Sequence, residues 1–203
     1  KESSAASDVY KRQVYGMSPR IRFDVVINML CGLSLTTNKV TLNSNGQAWR
    51  PHLHIDDACQ SFQRCLDWNP NIGELIILNV GQNEDNYKVL DIANIIHSNV
   101  KGSELNYLVM SEAGNESELV KDRKIQDGVD TRSYKVLFDK IEKTLPGFEC
   151  NWTVEKGILN LLKELKQINL TKEVFSTREF YRLQQIEFLH NQNMIDDDLF
   201  WVK

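Results

Sequence analysis

The 203 residues, 41% of them hydrophobic, suit one large domain or one and a half and can furnish a core. A net charge of −4 with no basic block argues against a nucleic-acid surface, because neutralising phosphates takes clustered Lys and Arg; the expected partner is small. The longest apolar run, residues 25–33, is interrupted by Asn28 and falls far below the ~20 residues of a membrane span, and no secretory pattern opens the chain.

In chain order, residues 1–13 are polar and aperiodic and change abruptly into an apolar pattern at Val14. They read as a foreign stretch of sequencing-adapter type or as a disordered native tail, and are set aside from the fold. Tyr15 to Pro19 is a turn, and Phe23, Val26, Leu30 and Leu33 mark a buried helix over 23–35. Residues 39–43 alternate as a half-buried strand, which Asn45-Gly46 closes with a hairpin dipeptide, and 52–55 form a second short strand. Asp56 or Asp57 caps the next helix, whose apolar face is Phe62, Cys65 and Leu66. The continuous apolar run 74–80 is the pattern of a strand covered on both faces, and 89–100 returns to helical spacing through Val89, Ile92, Ala93 and Ile96. A strand is expected at 104–109, a charged loop over 111–128, a strand-like stretch at 134–138 and a short helix from Asp139. Thr153 caps a helix bearing Val154, Ile158, Leu161, Leu162 and Leu165, and one amphipathic helix spans about 171–191 with Phe175, Leu183, Ile186 and Leu189.

The negative search for chemistry is the sharper one. A dinucleotide fingerprint needs closely spaced glycines so that backbone can approach a pyrophosphate, and the ten glycines are scattered. No Tyr is followed four residues later by Lys. The four cysteines contain no C-x-x-C pair, suggest neither a disulfide framework nor a zinc site, and read as reduced thiols of a cytoplasmic protein. His52 and His54 with Asp56 could be imagined as metal ligands, but His52 reads as partly exposed and no metal is expected. Asp57 either orients His54 or caps the helix. Asn79 ends the apolar strand where open α/β sheets bind ligands, or simply forms a turn.

Several pieces in order resemble the C-terminal region of extended short-chain dehydrogenase/reductases, the NAD-dependent epimerase/dehydratase family acting on nucleotide sugars. They are Val14-Tyr15-Gly16 with Ser18 to Asp24, Gly46 with Trp49-Arg50-Pro51, and His54 to Ala58. Leu78 to Gly81, Asp130-Thr131-Arg132, Phe138 to Ile141 and Pro146-Gly147-Phe148 complete the series. Met17 departs from the family's Tyr-Gly-Pro turn. The resemblance implies an α/β fold: a C-terminal fragment of an NAD(P)-binding Rossmann-type enzyme, with 14–203 as the substrate-binding lobe plus the last sheet strand. It implies that Arg50 and Arg132 grip the substrate diphosphate, since a guanidinium fork matches two phosphate oxygens; the alternative is that both are surface arginines paired with acids. It also implies that His54 braces the Arg50 loop, that Arg20 and Arg22 are lid residues or ordinary solvated arginines, and that Tyr15 approaches the nicotinamide. NAD would be the cofactor of the intact enzyme, the nucleotide sugar its substrate, and a homodimer its assembly. Without the fingerprint and the Tyr-Lys pair no catalytic residue is expected here, so the chain reads as a nucleotide-sugar binder without turnover. A helix face built for an absent sheet would leave an apolar patch exposed. The alternatives are a non-catalytic binding or scaffolding protein, and a reductase acting on a non-nucleotide substrate.

Overall fold

The computed structural model describes residues 14–67, 76–107, 125–126, 129–130 and 132–202. The expectations for 1–13, for 74–75 and for most of the 111–128 loop lie outside these residues.

The chain forms β1 (Val14–Tyr15), α1 (Val26–Thr37), β2 (Lys39–Leu42), β3 (Trp49–Pro51), β4 (Leu53–His54) and α2 (Ile55–Asp67). After these come β5 (Asn86–Lys88), α3 (Val89–Asn99), β6 (Glu104–Tyr107), β7 (Ile125–Gln126) and β8 (Val129–Asp130). The last elements are α4 (Asp139–Thr144), α5 (Val154–Gln167), α6 (Lys172–Phe175) and α7 (Arg182–Asn191). Pairs β1–β4 and β2–β6 are parallel, and β3–β5 and β7–β8 are antiparallel. Helices joined to parallel strands make this an α/β fold, as expected.

The main core lies where α1, α3 and α5 meet over β2. Ile27, Leu30 and Cys31 of α1, Ile92 and Ile96 of α3, and Ile158, Leu161 and Leu165 of α5 are fully buried together. The face of α5 follows its 3.6-residue period, and the Thr153 hydroxyl accepts the Lys156 N–H as the cap. Gly157 lets α5 lie against the Tyr15 ring, since a Cβ there would collide with it. A second cluster gathers Val136, Phe138, Ile141, Leu145 and Phe148.

Four sequence expectations are corrected. First, β2 and β3 form no hairpin. Gly46 takes the positive φ of 70° that its dipeptide favours, but the turn delivers its carbonyl to the Leu90 N–H at 2.9 Å, and the Ala48 carbonyl accepts the Val89 N–H. Those are free donors of the first turn of α3, so the turn seats a helix instead of closing a ladder. Second, α2 buries Asp57, Ala58 and Ser61, while Phe62 is 73% and Leu66 88% exposed and Cys65 is exposed as well. Asp57 is buried because its carboxylate accepts the N–H groups of Asn151 and Trp152 at 3.0 and 3.1 Å, so it serves a distant loop and caps nothing on its own helix.

Third, neither 76–80 nor 132–138 is a strand. Ile77 is exposed, and among the described residues no strand pairs with either segment. Residues 134–138 keep strand-like alternation, but side chains replace the ladder: Asn86 exchanges two hydrogen bonds with the Val136 backbone, and the Asn83 amide oxygen accepts the Phe138 N–H. Fourth, the final helix is broken into α6, a short 3-10 turn over Arg178–Phe180, and α7. Phe175 turns into the core against Phe23 and Gly32, and the Phe180 carbonyl accepts the Phe23 N–H at 3.1 Å, which fixes the chain in a path a straight helix cannot follow.

Ala in place of Gly157 gains roughly 1 kcal/mol of helix propensity but forces Tyr15 aside at about 1–3 kcal/mol. The variant is therefore expected to lose stability in urea titration. Phe62→Glu with Leu66→Glu is expected to lower light scattering from self-association while leaving the melting temperature close to wild type, because both side chains are outside the core.

Candidate functional site

Arg50 lies in β3, between the turn at Gly46 and the start of α2. It is only 6% exposed. Its guanidinium donates through Nη1 to the Trp49 carbonyl at 2.7 Å and through Nη2 to Asp130 Oδ2 at 2.7 Å, and it lies 5.2 Å over the Tyr134 ring. Arg132 reaches the same carboxylate through Nε to Oδ1 at 2.9 Å and Nη2 to Oδ2 at 3.1 Å, and its backbone N–H donates to Oδ1 as well. The two arginines expected to act together thus converge on one carboxylate. Burial alone would raise the Asp130 pKa, but the hydrogen bonds from Arg132 and the charges of both arginines outweigh it and hold the carboxyl below its ordinary range. Both contacts are charge-assisted, the stronger kind of hydrogen bond. Trp49 packs: the ammonium of Lys135 sits 3.7 Å from its ring centre and that of Lys88 5.7 Å.

Behind Arg50 lies an aromatic layer. Tyr15 is buried edge-on to the His52 and His54 rings, and its hydroxyl donates to the Thr153 carbonyl at 3.3 Å. Desolvation, assisted by Asp85 and Asp57, pushes that hydroxyl far above its usual pKa, so it stays protonated. His52 is fully buried, contrary to the expectation of partial exposure, because its strand connection turns the ring inward against Tyr15; among the described residues neither ring nitrogen has a partner. Burial first, and then the charge of Arg50, lower its pKa to about 3, so it is neutral. His54 stacks on Trp152 at 4.1 Å. It is also held neutral, chiefly by burial. Among the described residues no three His, Cys, Asp or Glu side chains gather as a metal-binding group.

The remaining candidates scatter. Arg22 is engaged bidentately by Asp24 at 2.8 and 2.7 Å, Arg20 is exposed on the turn before it, and exposed Asn79 donates to the Leu137 carbonyl at 3.3 Å. Sequence reasoning missed Asp130 as the hub, although its place two residues before an arginine is the spacing of an Asx turn. It also missed Asp85, a buried carboxylate on a 3-10 turn that accepts from the Gln82 amide and the Val154 N–H.

The spaces in front of Gly16, Gly46 and Gly81 are filled by His54, Leu90 and Phe138, so each close approach is to the chain's own side chains. Among the described residues no helix is long and apolar enough to cross a membrane.

The fold is of the Rossmann-type α/β class. Solved structures similar to it are NAD-dependent nucleotide-sugar enzymes. An NAD-dependent NDP-hexosamine 5,6-dehydratase of tunicamycin biosynthesis matches over 78% of this chain at 17% identity and a TM-score of 0.58. The UDP-glucuronic acid 4-epimerase of Bacillus cereus, solved with UDP-glucuronic acid and NAD, matches over 77% at 21% identity and 0.57. The dTDP-glucose 4,6-dehydratase of Bacillus anthracis, solved with NAD, matches over 79% at 19% identity and 0.56. This chain spans 45%, 43% and 44% of their respective lengths. No protein-family profile matches the sequence, and no curated protein does.

Burial pushes the Asp85 carboxyl up to about 6, against the opposing hydrogen bonds from Gln82 and Val154 and with help from Asp57. A folded pKa above the unfolded value near 4 means that this stabilisation is complete below about pH 4 and is lost as pH rises through about 6. Asp85→Asn removes the titrating group but turns one of its two acceptor oxygens into a donor, so it is expected to flatten the pH dependence of stability between about pH 4 and 6, read by urea titration at each pH.

Proposed function

We propose that residues 14–203 are the substrate-binding lobe of an NAD-dependent nucleotide-sugar epimerase or dehydratase, with Arg50 and Arg132 as a clamp on the diphosphate. The observation that carries this reading is the convergence of both arginines on Asp130. A carboxylate presents two oxygens to two guanidinium forks much as a phosphate does, so the planes and spacing that grip Asp130 also suit an anionic diphosphate. Asp130 keeps the two cations together in the absence of ligand and lowers the cost of bringing like charges to one place. Tyr134 supports the guanidinium of Arg50 from the side.

Within that reading NAD, with which two of the named structures were solved, would be the hydride acceptor of the whole enzyme. The part of the described residues is to bind and orient. Tyr15 and His54 brace the strand connection that carries Arg50, with Arg20, Arg22 and Asn79 as outer contacts to the nucleotide sugar. Unpaired Cys59 and Cys65 at the surface fit a cytoplasmic protein. A homodimer and turnover of epimerase or dehydratase type belong to the same proposal for the whole enzyme. The outward apolar face of α2 favours a second reading, a non-catalytic binding protein that meets a macromolecular partner there.

Arg132→Ala is expected to weaken UDP-glucose and UDP binding by about tenfold or more in calorimetric titration, with affinity falling as salt is raised, and uridine is expected not to bind measurably. Equal binding of UDP by wild type and the variant would falsify the clamp and leave the second reading.

A further inference from the structure

Asn45-Gly46 is the one Asn-Gly pair in the sequence, and it lies in the turn that seats α3. Asn45 is exposed and Gly46 is buried. The side-chain oxygen of Asn45 accepts the Gln47 N–H at 3.1 Å, which makes an Asx turn, and the Gly46 N–H donates to the Ser44 hydroxyl oxygen at 3.3 Å. Gln47 is itself held, since the Lys88 ammonium donates to its Oε1 at 3.0 Å.

Both bonds of the turn have a chemical consequence. The first folds the Asn45 side-chain carbonyl back along the next peptide, which brings its carbon beside the Gly46 nitrogen and polarises it toward attack. The second places the Ser44 oxygen where it can take up the proton that the Gly46 nitrogen must lose to act as a nucleophile. A side chain at position 46 would crowd that attack, and the fold admits none. Gly46 has a φ of 70°, and a Cβ on it would stand 2.9 Å from the Leu90 Cβ and 3.0 Å from the Leu90 nitrogen. The approach is this close because the Gly46 carbonyl accepts the Leu90 N–H at 2.9 Å. The seat of α3 therefore imposes the bare glycine that leaves the Asn45 amide open. Asn43 is exposed as well, but the Cβ of Ser44 follows it.

We propose that Asn45 is a self-modification site. The Gly46 nitrogen attacks the Asn45 side-chain carbonyl carbon and a C–N bond forms. The proton lost by the Gly46 nitrogen passes through the Ser44 hydroxyl and solvent to the side-chain nitrogen, which departs as ammonia and leaves a cyclic succinimide. Water then opens either carbonyl of the ring. One opening gives aspartate on an unchanged backbone; the other gives isoaspartate, in which the main chain runs through the side-chain carbon. Nothing is oxidised or reduced, and water is the sole co-reactant. Both products add a negative charge to the turn, and isoaspartate also lengthens the chain just ahead of the Gly46 and Ala48 carbonyls that accept the Leu90 and Val89 N–H groups. The reaction does not rest on the diphosphate clamp.

The test is peptide mapping by mass spectrometry of the full chain, held folded in mildly alkaline buffer and, in parallel, unfolded in guanidinium chloride. Asn45 is expected to convert about tenfold faster in the folded than in the unfolded chain, and faster than Asn43 in the folded one, giving both aspartate and isoaspartate. Ser44→Ala is expected to remove most of that gain and to leave the unfolded rate unchanged. The isoaspartate fraction, separated by ion exchange, is expected to unfold at lower urea than the unconverted chain, whereas Asn45→Asp unfolds near wild type. A folded rate at or below the unfolded one, equal conversion of Asn43 and Asn45, aspartate without isoaspartate, or a Ser44→Ala chain that reacts like wild type overturns the proposal.

Discussion

Two buried carboxylates hold the bend that leads into α5, and much of the structure depends on that bend. Asp57 on α2 takes the N–H groups of Asn151 and Trp152, and Asp85 takes that of Val154. None of these donors has a helical or strand partner to turn to, so their burial is possible only because carboxylates meet them. The consequences run in both directions along the chain. Downstream, the angle at which α5 leaves the bend puts Ile158, Leu161 and Leu165 into the core. Upstream, Trp152 is held flat on His54, which lies against Tyr15 and closes the layer behind Arg50.

The same bend joins the two hydrophobic clusters. Phe148, at the end of the smaller one, is two residues from Cys150, which packs against that cluster and leads directly into the clamped segment. Asp85 belongs to the stretch whose next residue, Asn86, carries the Val136 backbone on its side chain and, as part of β5, pairs with Pro51. Arg50 thus sits between a ladder on one side and a polar scaffold on the other. The positions of Asp130 and Arg132 relative to it are set by the Trp49–Tyr134 and Trp49–Ser133 hydrogen bonds as well as by the ion pairs.

Helices α3 and α5 were legible in the sequence because their apolar period, their first residues and, for α5, the Thr153 cap all agreed. The helix α2 was misread for a physical reason: periodicity tells which face is apolar, not which face is covered. Here Asp57 and Ser61 are inside because their polar atoms have partners there, and Phe62 and Leu66 are outside. The hairpin dipeptide at Asn45-Gly46 correctly announced a turn with positive φ but could not announce that the turn's carbonyls would seat α3. The stretch 134–138, expected to be strand-like, keeps the alternating burial without being a strand, because the Asn83 and Asn86 side chains that take the place of a neighbouring strand left no periodic trace. Of the candidate site, Arg50 and Arg132 were named together only through the resemblance to a known family, and their meeting point at Asp130 left no trace, since it joins positions far apart in sequence.

Asp130 is the last residue of the short β7–β8 ribbon, and one of its oxygens is committed to Arg50. Anything that draws Arg50 away from that oxygen therefore also loosens the tie between β3 and the ribbon. Were a ligand to compete for Arg50, its affinity and the positional freedom of the ribbon would be linked quantities, each altering the other by the same free energy. A change in the ribbon that never touches a ligand would be felt as a change in how tightly the ligand is held.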